Sequence, residues 1–258
     1  MDTTAWDERF GWFWFNADEV FHQTQEDLER KAKEFADTGI TTVINFSSTH
    51  FRLGFAPYWG EINACIGRIV KACHKYGIKV VEHHSAELVH DLNSTAGWKR
   101  LEEDLGSFTN WTSTVEDWPK IVPFLKEDPT IDGKRMLEWR QIDGRTGEPV
   151  VSVYASHCMC YNNPDYRAVY LRYVEDLIRV GVDGIMNDDV QYFGDGNACT
   201  CVHCRKKFKQ QTGFDLPEPK DWSSFYRDYS NPVFLAWERF RFQSTEDFYR
   251  MIYARYEE

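Results

Sequence analysis

The sequence predicts a parallel α/β fold, the N-terminal part of a (β/α)8 TIM barrel with about four to five βα units and a long insertion after strand 3. Three observations predict it. A helix, a glycine followed by Ile or Val, and a β-rich run occur in that order three times along the chain. Strands alternating with helices across short joints make parallel βαβ units. No glycine-rich phosphate loop follows the first strand, which disfavours a nucleotide-binding doubly wound sheet.

The elements follow in order. Phe10 to Phe15 reads as the first strand. Residues 24–38 form an amphipathic helix that Thr24 can cap, with Asp27 in its first turn and Leu28, Ala32, Phe35 and Ala36 on its apolar face. Gly39 ends it, and residues 41–47 form strand 2. Residues 61–76 repeat the pattern through Ile62, Cys65, Ile66, Ile69, Val70 and Cys73, and strand 3 covers 79–84. On this apolar face Cys65 and Cys73 read as small buried hydrophobes. In the third unit Asn163 caps, Pro164 takes the first helical position, and Val169, Tyr170, Tyr173, Val174, Leu177 and Ile178 face inward. Gly181-Val182 then leads into strand 4 at 183–188.

Residues 88–150 read as the insertion, with Trp98, Trp111, Trp118 and Trp139, and a short strand is expected at 149–154. Loops of that length in a compact domain are usually functional. Beyond residue 190 come a cysteine loop, a helix near 203–211, a Pro-rich turn at 216–219 and a long helix near 232–256. Residues 1–258 are therefore expected to form one partial barrel, either the first portion of a longer enzyme or a barrel without strands 5–8.

Hydrophobic residues make up 42% and charged residues 28%, which excludes a disordered chain. Forty-one acids against 30 bases leave a net charge of −11, which argues against nucleic acid or an anionic membrane as partner. No run of about 18 apolar residues is present. Met1-Asp2-Thr3-Thr4 carries neither a basic nor an apolar leader segment, so the expected location is cytoplasmic. A homo-oligomer is left open. Aromatics reach 16%, and their faces suit the C–H faces of sugar rings.

Cys199-Thr200-Cys201-Val202-His203-Cys204 is the sharpest motif. C-x-C-x-x-C lets one tight turn offer three thiolates to a tetrahedral zinc ion. Cys160 and Cys158 are the candidate fourth ligands, with His157 and His203 as outsiders. Four thiolates leave no open position, so the zinc is structural and residues 158–210 form its region. Asn187-Asp188-Asp189 ends strand 4, where side chains of a parallel barrel face the catalytic mouth. Carboxylates there suit acid/base or nucleophilic chemistry on acetals. The other strand ends supply Trp14 and Asn16, His50, and His83 with His84, a polar cleft with aromatic walls.

The run Cys160-Tyr161-Asn162-Asn163-Pro164-Asp165-Tyr166-Arg167, then Asn187-Asp188, then Cys199-x-Cys201-x-x-Cys204, resembles the family 42 glycoside hydrolases. That resemblance implies a structural zinc on Cys160, Cys199, Cys201 and Cys204. It places the family's general acid/base, a Glu, at Asp188. The Asp shortens the carboxyl by one methylene, and the family's strand 7 nucleophile has no counterpart. Asp183-Gly184-Ile185-Met186-Asn187-Asp188 also resembles strand 4 of the family 29 α-L-fucosidases, where the last Asp is the nucleophile. Uncharacterised putative glycosyl hydrolase families share that strand and a cysteine loop.

The expected function is therefore a retaining glycoside hydrolase, β-galactosidase-like or α-L-fucosidase-like. Asp188 serves as nucleophile or general acid/base, with Asp189 second. Asn16, His50, His83, His84, Asn187 and Tyr192 bind the carbohydrate, and Trp14 and Trp139 stack on it. The alternative is a non-catalytic carbohydrate-binding or assembly module on a degenerate zinc-stabilised barrel.

Overall fold

A computed structural model describes residues 7–17, 19–106 and 120–257. Met1 to Thr4, Trp111 and Trp118 lie outside the described residues. The fold is mixed α/β around a parallel sheet of four strands. Its main elements are β1 (Phe10–Phe15), α1 (Gln25–Asp37), β2 (Thr42–Ser47), α2 (Trp59–His74), β3 (Lys79–Ser85), β4 (Leu88–His90), β5 (Ser156–Cys158), α3 (Pro164–Val180), β6 (Gly184–Asp188), α4 (Val202–Thr212) and α5 (Pro232–Glu257). They fall into two compact units. The first holds Met1–Ala86, Lys99–Pro123 and Glu175–Asp188, and the second holds Glu87–Trp98, Phe124–Val174 and Asp189–Glu258.

The first unit is the sheet and its helices. The strand order is β1-β2-β3-β6, each pair parallel. Thr24 caps α1 by accepting from the Asp27 backbone N–H at 3.2 Å. Gly39 and Gly77 leave their helices at φ of 79° and 71°, a conformation a side chain resists, which is why glycine stands at these joints. At Gly11 an added Cβ would stand 3.1 Å from the Phe35 ring, so glycine lets α1 lie close on β1.

Side chains alternate across the strands. One face places Phe13, Phe15, Val43 and Val80 in the core, together with the polar Asn45, Ser47, Glu82 and His84. Phe10, Trp12, Trp14, Phe46, His83, Met186 and Asp188 occupy the other face by register. Trp12 is 56% exposed there.

The second unit pairs β4 with β5 antiparallel, setting Val89 opposite His157. Asn163 caps α3 by accepting from the Asp165 and Tyr166 backbone N–H groups at 2.9 and 3.2 Å. The long α5 buries Phe234, Trp237, Phe240 and Phe248, and Phe248 stacks on Tyr166 and Tyr170 of α3.

The strand expected at 149–154 is corrected: Pro149 and Val151 make only isolated bridges, and the strand lies at Ser156–Cys158. A turn between Ser152 and Ser156 breaks the earlier run, with the Ala155 backbone N–H donating to the Ser152 carbonyl and Ala155 at φ 52°.

Candidate functional site

In the first unit the open face of the sheet carries an aromatic floor and a carboxylate. Phe46 lies 4.7 Å from the Trp14 ring, 4.7 Å from His83 and 5.0 Å from His50, centroid to centroid. Trp12 meets Phe46 and His83 edge-on. At the carboxyl end of β6 the Asp188 side chain is 51% exposed, and its Oδ2 accepts from His83 Nε2 at 3.2 Å. Burial pushes the His83 imidazole below its usual range, and the Asp188 charge works in the opposite direction. A neutral ring donates through Nε2, so Nδ1 is a bare acceptor; it is buried and has no hydrogen-bond partner among the described residues.

One position along, His84 turns to the helix-covered face. Its Nδ1 donates to Glu82 Oε2 at 2.5 Å, and Arg52 Nη2 donates to Glu82 Oε1 at 2.9 Å, all three side chains buried. Burial works to raise the Glu82 carboxyl, and His84 and Arg52 outweigh it and hold the group below its usual range. This is an internal charge network. His84 thus lies on the face opposite His83, because adjacent strand residues point to opposite faces.

The second unit brings Cys160, Cys199, Cys201 and Cys204 together. Their sulfurs all lie within 4.8 Å of one another and all four residues are buried. The Cys160 sulfur stands 3.4 Å from that of Cys204 and 3.6 Å from that of Cys201. A disulfide needs about 2.05 Å. A tetrahedral ion with metal–sulfur bonds near 2.3 Å sets its sulfurs about 3.8 Å apart. The observed spacing matches the second case, so the four thiolates could hold one metal ion.

Local sequence builds this cage. Cys201 is the N-cap of α4 and Cys204 sits in its first turn, where the positive helix end favours thiolate. Cys160 lies on the short stretch between β5 and α3. Backbone N–H groups of Ile142 and Cys201 donate to the Cys199 sulfur, and Asn162 Nδ2 donates to that of Cys204, each at 3.4 Å. Hydrogen bonding with Cys160, Cys199 and Cys204 pulls the Cys201 thiol well down, and hydrogen bonding with Cys199, Cys201 and Cys204 pushes that of Cys160 well up.

Glu87, just past β3, is the carboxyl that sequence reasoning missed. It is fully buried, and Gln141 Nε2 donates to its Oε2 at 3.0 Å. Burial pushes it well above the usual carboxylate range, with the charges of Asp189 and Cys199 adding to the effect. Its acidic neighbour Asp189 is half-buried at φ 62°. The only sequence signal was an acid directly after a strand.

The remaining expected residues are placed as follows. Trp14 Nε1 donates to Asn16 Oδ1 at 2.6 Å, and the Asn16 backbone N–H donates to Glu19 Oε2 at 2.6 Å, so Asn16 ties down its own loop. His50 is buried beside Phe51, and Asn187 is half-buried, in register with His84. Trp139 is 1% exposed, and its ring packs 6.1 Å from that of Tyr166, centroid to centroid. Tyr192, in the second unit, lies 4.8 Å from the Tyr161 ring, and its hydroxyl accepts from Asn162 Nδ2 at 3.0 Å. Trp12 and Phe46 were missed; the alternation in Phe10-Gly11-Trp12-Phe13-Trp14-Phe15 was the signal for Trp12.

Among the described residues no helix is long and apolar enough to cross a membrane. No family model matches the chain, and no curated protein matches it. Among solved structures it is similar to a hypothetical protein from Ruminiclostridium thermocellum, with 9% identity, 91% of each chain covered and a TM-score of 0.41. It is also similar to an α-amylase from Geobacillus thermoleovorans, with 14% identity, 82% of this chain and 45% of that one covered, and a TM-score of 0.39. The cyclic α-maltosyl-(1→6)-maltose hydrolase from Arthrobacter globiformis has 13% identity, with 80% and 48% covered and a TM-score of 0.39. The chain spans about half the length of these two enzymes.

Proposed function

We propose that the protein is a glycoside hydrolase acting on oligosaccharides or glycosides with retention, and that Asp188 is its nucleophile or general acid/base. One observation carries the reading. An exposed carboxylate at a strand end is held by His83 beside an aromatic floor of Trp12, Trp14 and Phe46. The rings offer a face for a pyranose, and a donor on one carboxylate oxygen orients the group toward an anomeric carbon. The sequential, all-parallel strand order supports reading the first unit as part of a (β/α)8 barrel. Specificity of the β-galactosidase or α-L-fucosidase type belongs to this proposal, on the strength of the sequence resemblances.

The same proposal gives Cys160, Cys199, Cys201 and Cys204 one structural zinc ion. A cytoplasmic setting, where thiols stay reduced, suits such a cage. The ion ties the loop before α4 to the segment before α3 and takes no part in a reaction step.

The test is turnover of a panel of aryl glycosides, aryl β-galactosides and α-L-fucosides included, by the protein and its Asp188→Ala variant. The variant is expected to lose at least about a thousandfold in kcat/KM. Azide rescue then assigns the role: a glycosyl azide of inverted configuration marks a nucleophile, one of retained configuration an acid/base. Equal turnover by both proteins ends the reading. Saturable glycan binding by an inactive wild-type protein establishes the binding-module alternative instead.

A further inference from the structure

Helix α5 has a second apolar row, opposite in role to the one it buries. Leu235, Phe242 and Tyr249 are spaced seven apart and are 37%, 77% and 43% exposed. Phe242 has no polar atom to justify that exposure. Beside this row runs another with the same spacing, Arg239, Glu246 and Tyr253, all exposed. An exposed apolar row of period seven with a charged row along its flank offers a second helix an apolar contact edged by charge. The flat length is sufficient: Leu235 to Tyr249 spans about 21 Å at 1.5 Å per residue.

The order of charges selects the occupant. A two-fold axis between residues 242 and 243, crossing α5 at right angles, sets a second α5 antiparallel to the first. Arg239 then lies level with Glu246 of the other copy, and Glu246 with Arg239. Leu235 comes within about 1.5 Å of axial level with Tyr249 of the other copy, and Phe242 within the same offset of Phe242. In an antiparallel pair like rows meet like rows, so the apolar row closes on itself and the charged row on itself. A parallel two-fold pair would instead set the charged row of each copy against the apolar row of the other and leave Arg239 and Glu246 without partners across the seam. Among the described residues Arg239 has no ion-pair partner within the chain, while Glu246 makes an exposed intrahelical pair with Arg250 at 2.6 Å. Such an exposed pair exchanges readily for an intermolecular one.

We propose that the outer face of α5, through Leu235, Arg239, Phe242, Glu246 and Tyr249, is a homodimer interface on which a second copy of this chain packs antiparallel. This inference is independent of the glycosidase reading.

Sedimentation equilibrium of the intact chain at low salt tests it, with helix content by circular dichroism to show that each variant is folded. The protein should associate to a dimer, and added salt should weaken the dimer because its ion pairs are exposed. Arg239→Glu and Glu246→Arg, each alone, create two like-charge contacts and should weaken association by at least about tenfold. The double variant Arg239→Glu/Glu246→Arg restores both contacts and should recover the dimer. Phe242→Lys should leave a folded monomer. A wild-type protein that stays monomeric to millimolar concentration, a double variant no better than the singles, or a dimer that survives Phe242→Lys overturns the proposal.

Discussion

His83 and Asp188 are joined by a 3.2 Å hydrogen bond between neighbouring strands, the buried imidazole donating to the exposed carboxylate. Burial holds His83 below the ordinary histidine range, and the Asp188 charge resists that shift. Asp188→Asn should therefore move His83 further down, without changing the fold. A titration of the His83 ring protons by NMR reads this directly. An unchanged or raised midpoint in the variant would show that the pair is not formed in solution.

The cysteine cage predicts metal-linked stability. Purified protein should carry about one equivalent of zinc, and removing it with a chelator should lower the melting temperature of the second unit, because binding a preformed cage is coupled to folding. Cys199→Ser should lower both zinc content and melting temperature. Less than about half an equivalent of metal in native protein, with Cys199→Ser melting like wild type, would remove the cage from the account.

Glu87 predicts a stability profile that falls with rising pH. Its folded carboxyl titrates well above the ordinary 4.5, so the folded chain holds a proton that the unfolded chain has released. Stability from this group is complete below pH 4.5 and is lost as the pH climbs toward the folded value. Glu87→Gln keeps a neutral hydrogen-bonding group at the same place. It should match wild type near pH 4 and be more stable at neutral pH by about 1 kcal/mol or more. Urea denaturation at the two pH values decides, and a variant less stable than wild type at neutral pH contradicts the assignment.

Much of this architecture was legible in the residues. Gly39 and Gly77, each followed by isoleucine, marked the exits of α1 and α2 because a left-handed turn there excludes side chains. The C-x-C-x-x-C spacing marked the cage, since three thiolates so close can converge from a single turn. What escaped was direction and depth. His83 and His84 read alike in sequence, and only the phase of β3 sends one to the open face and the other to Glu82. Trp139 read as a ligand platform because its composition suits one; its burial against Tyr166 follows from tertiary packing that no local pattern encodes. Glu87 was invisible for a similar reason. A lone acid after a strand is usually solvated, and here the chain folds over it.

The buried trio of Arg52, Glu82 and His84 also governs how the strands can line up. Sliding β3 by a single place against β2 would swing Glu82 and His84 out to the open face and drive Val81 and His83 beneath the helices. Arg52 would then sit in the interior with no anion opposite, a penalty of about 3–5 kcal/mol. Misaligned sheets are thus rejected by a stranded guanidinium, and the chain proofreads its own register with a charge that never reaches solvent.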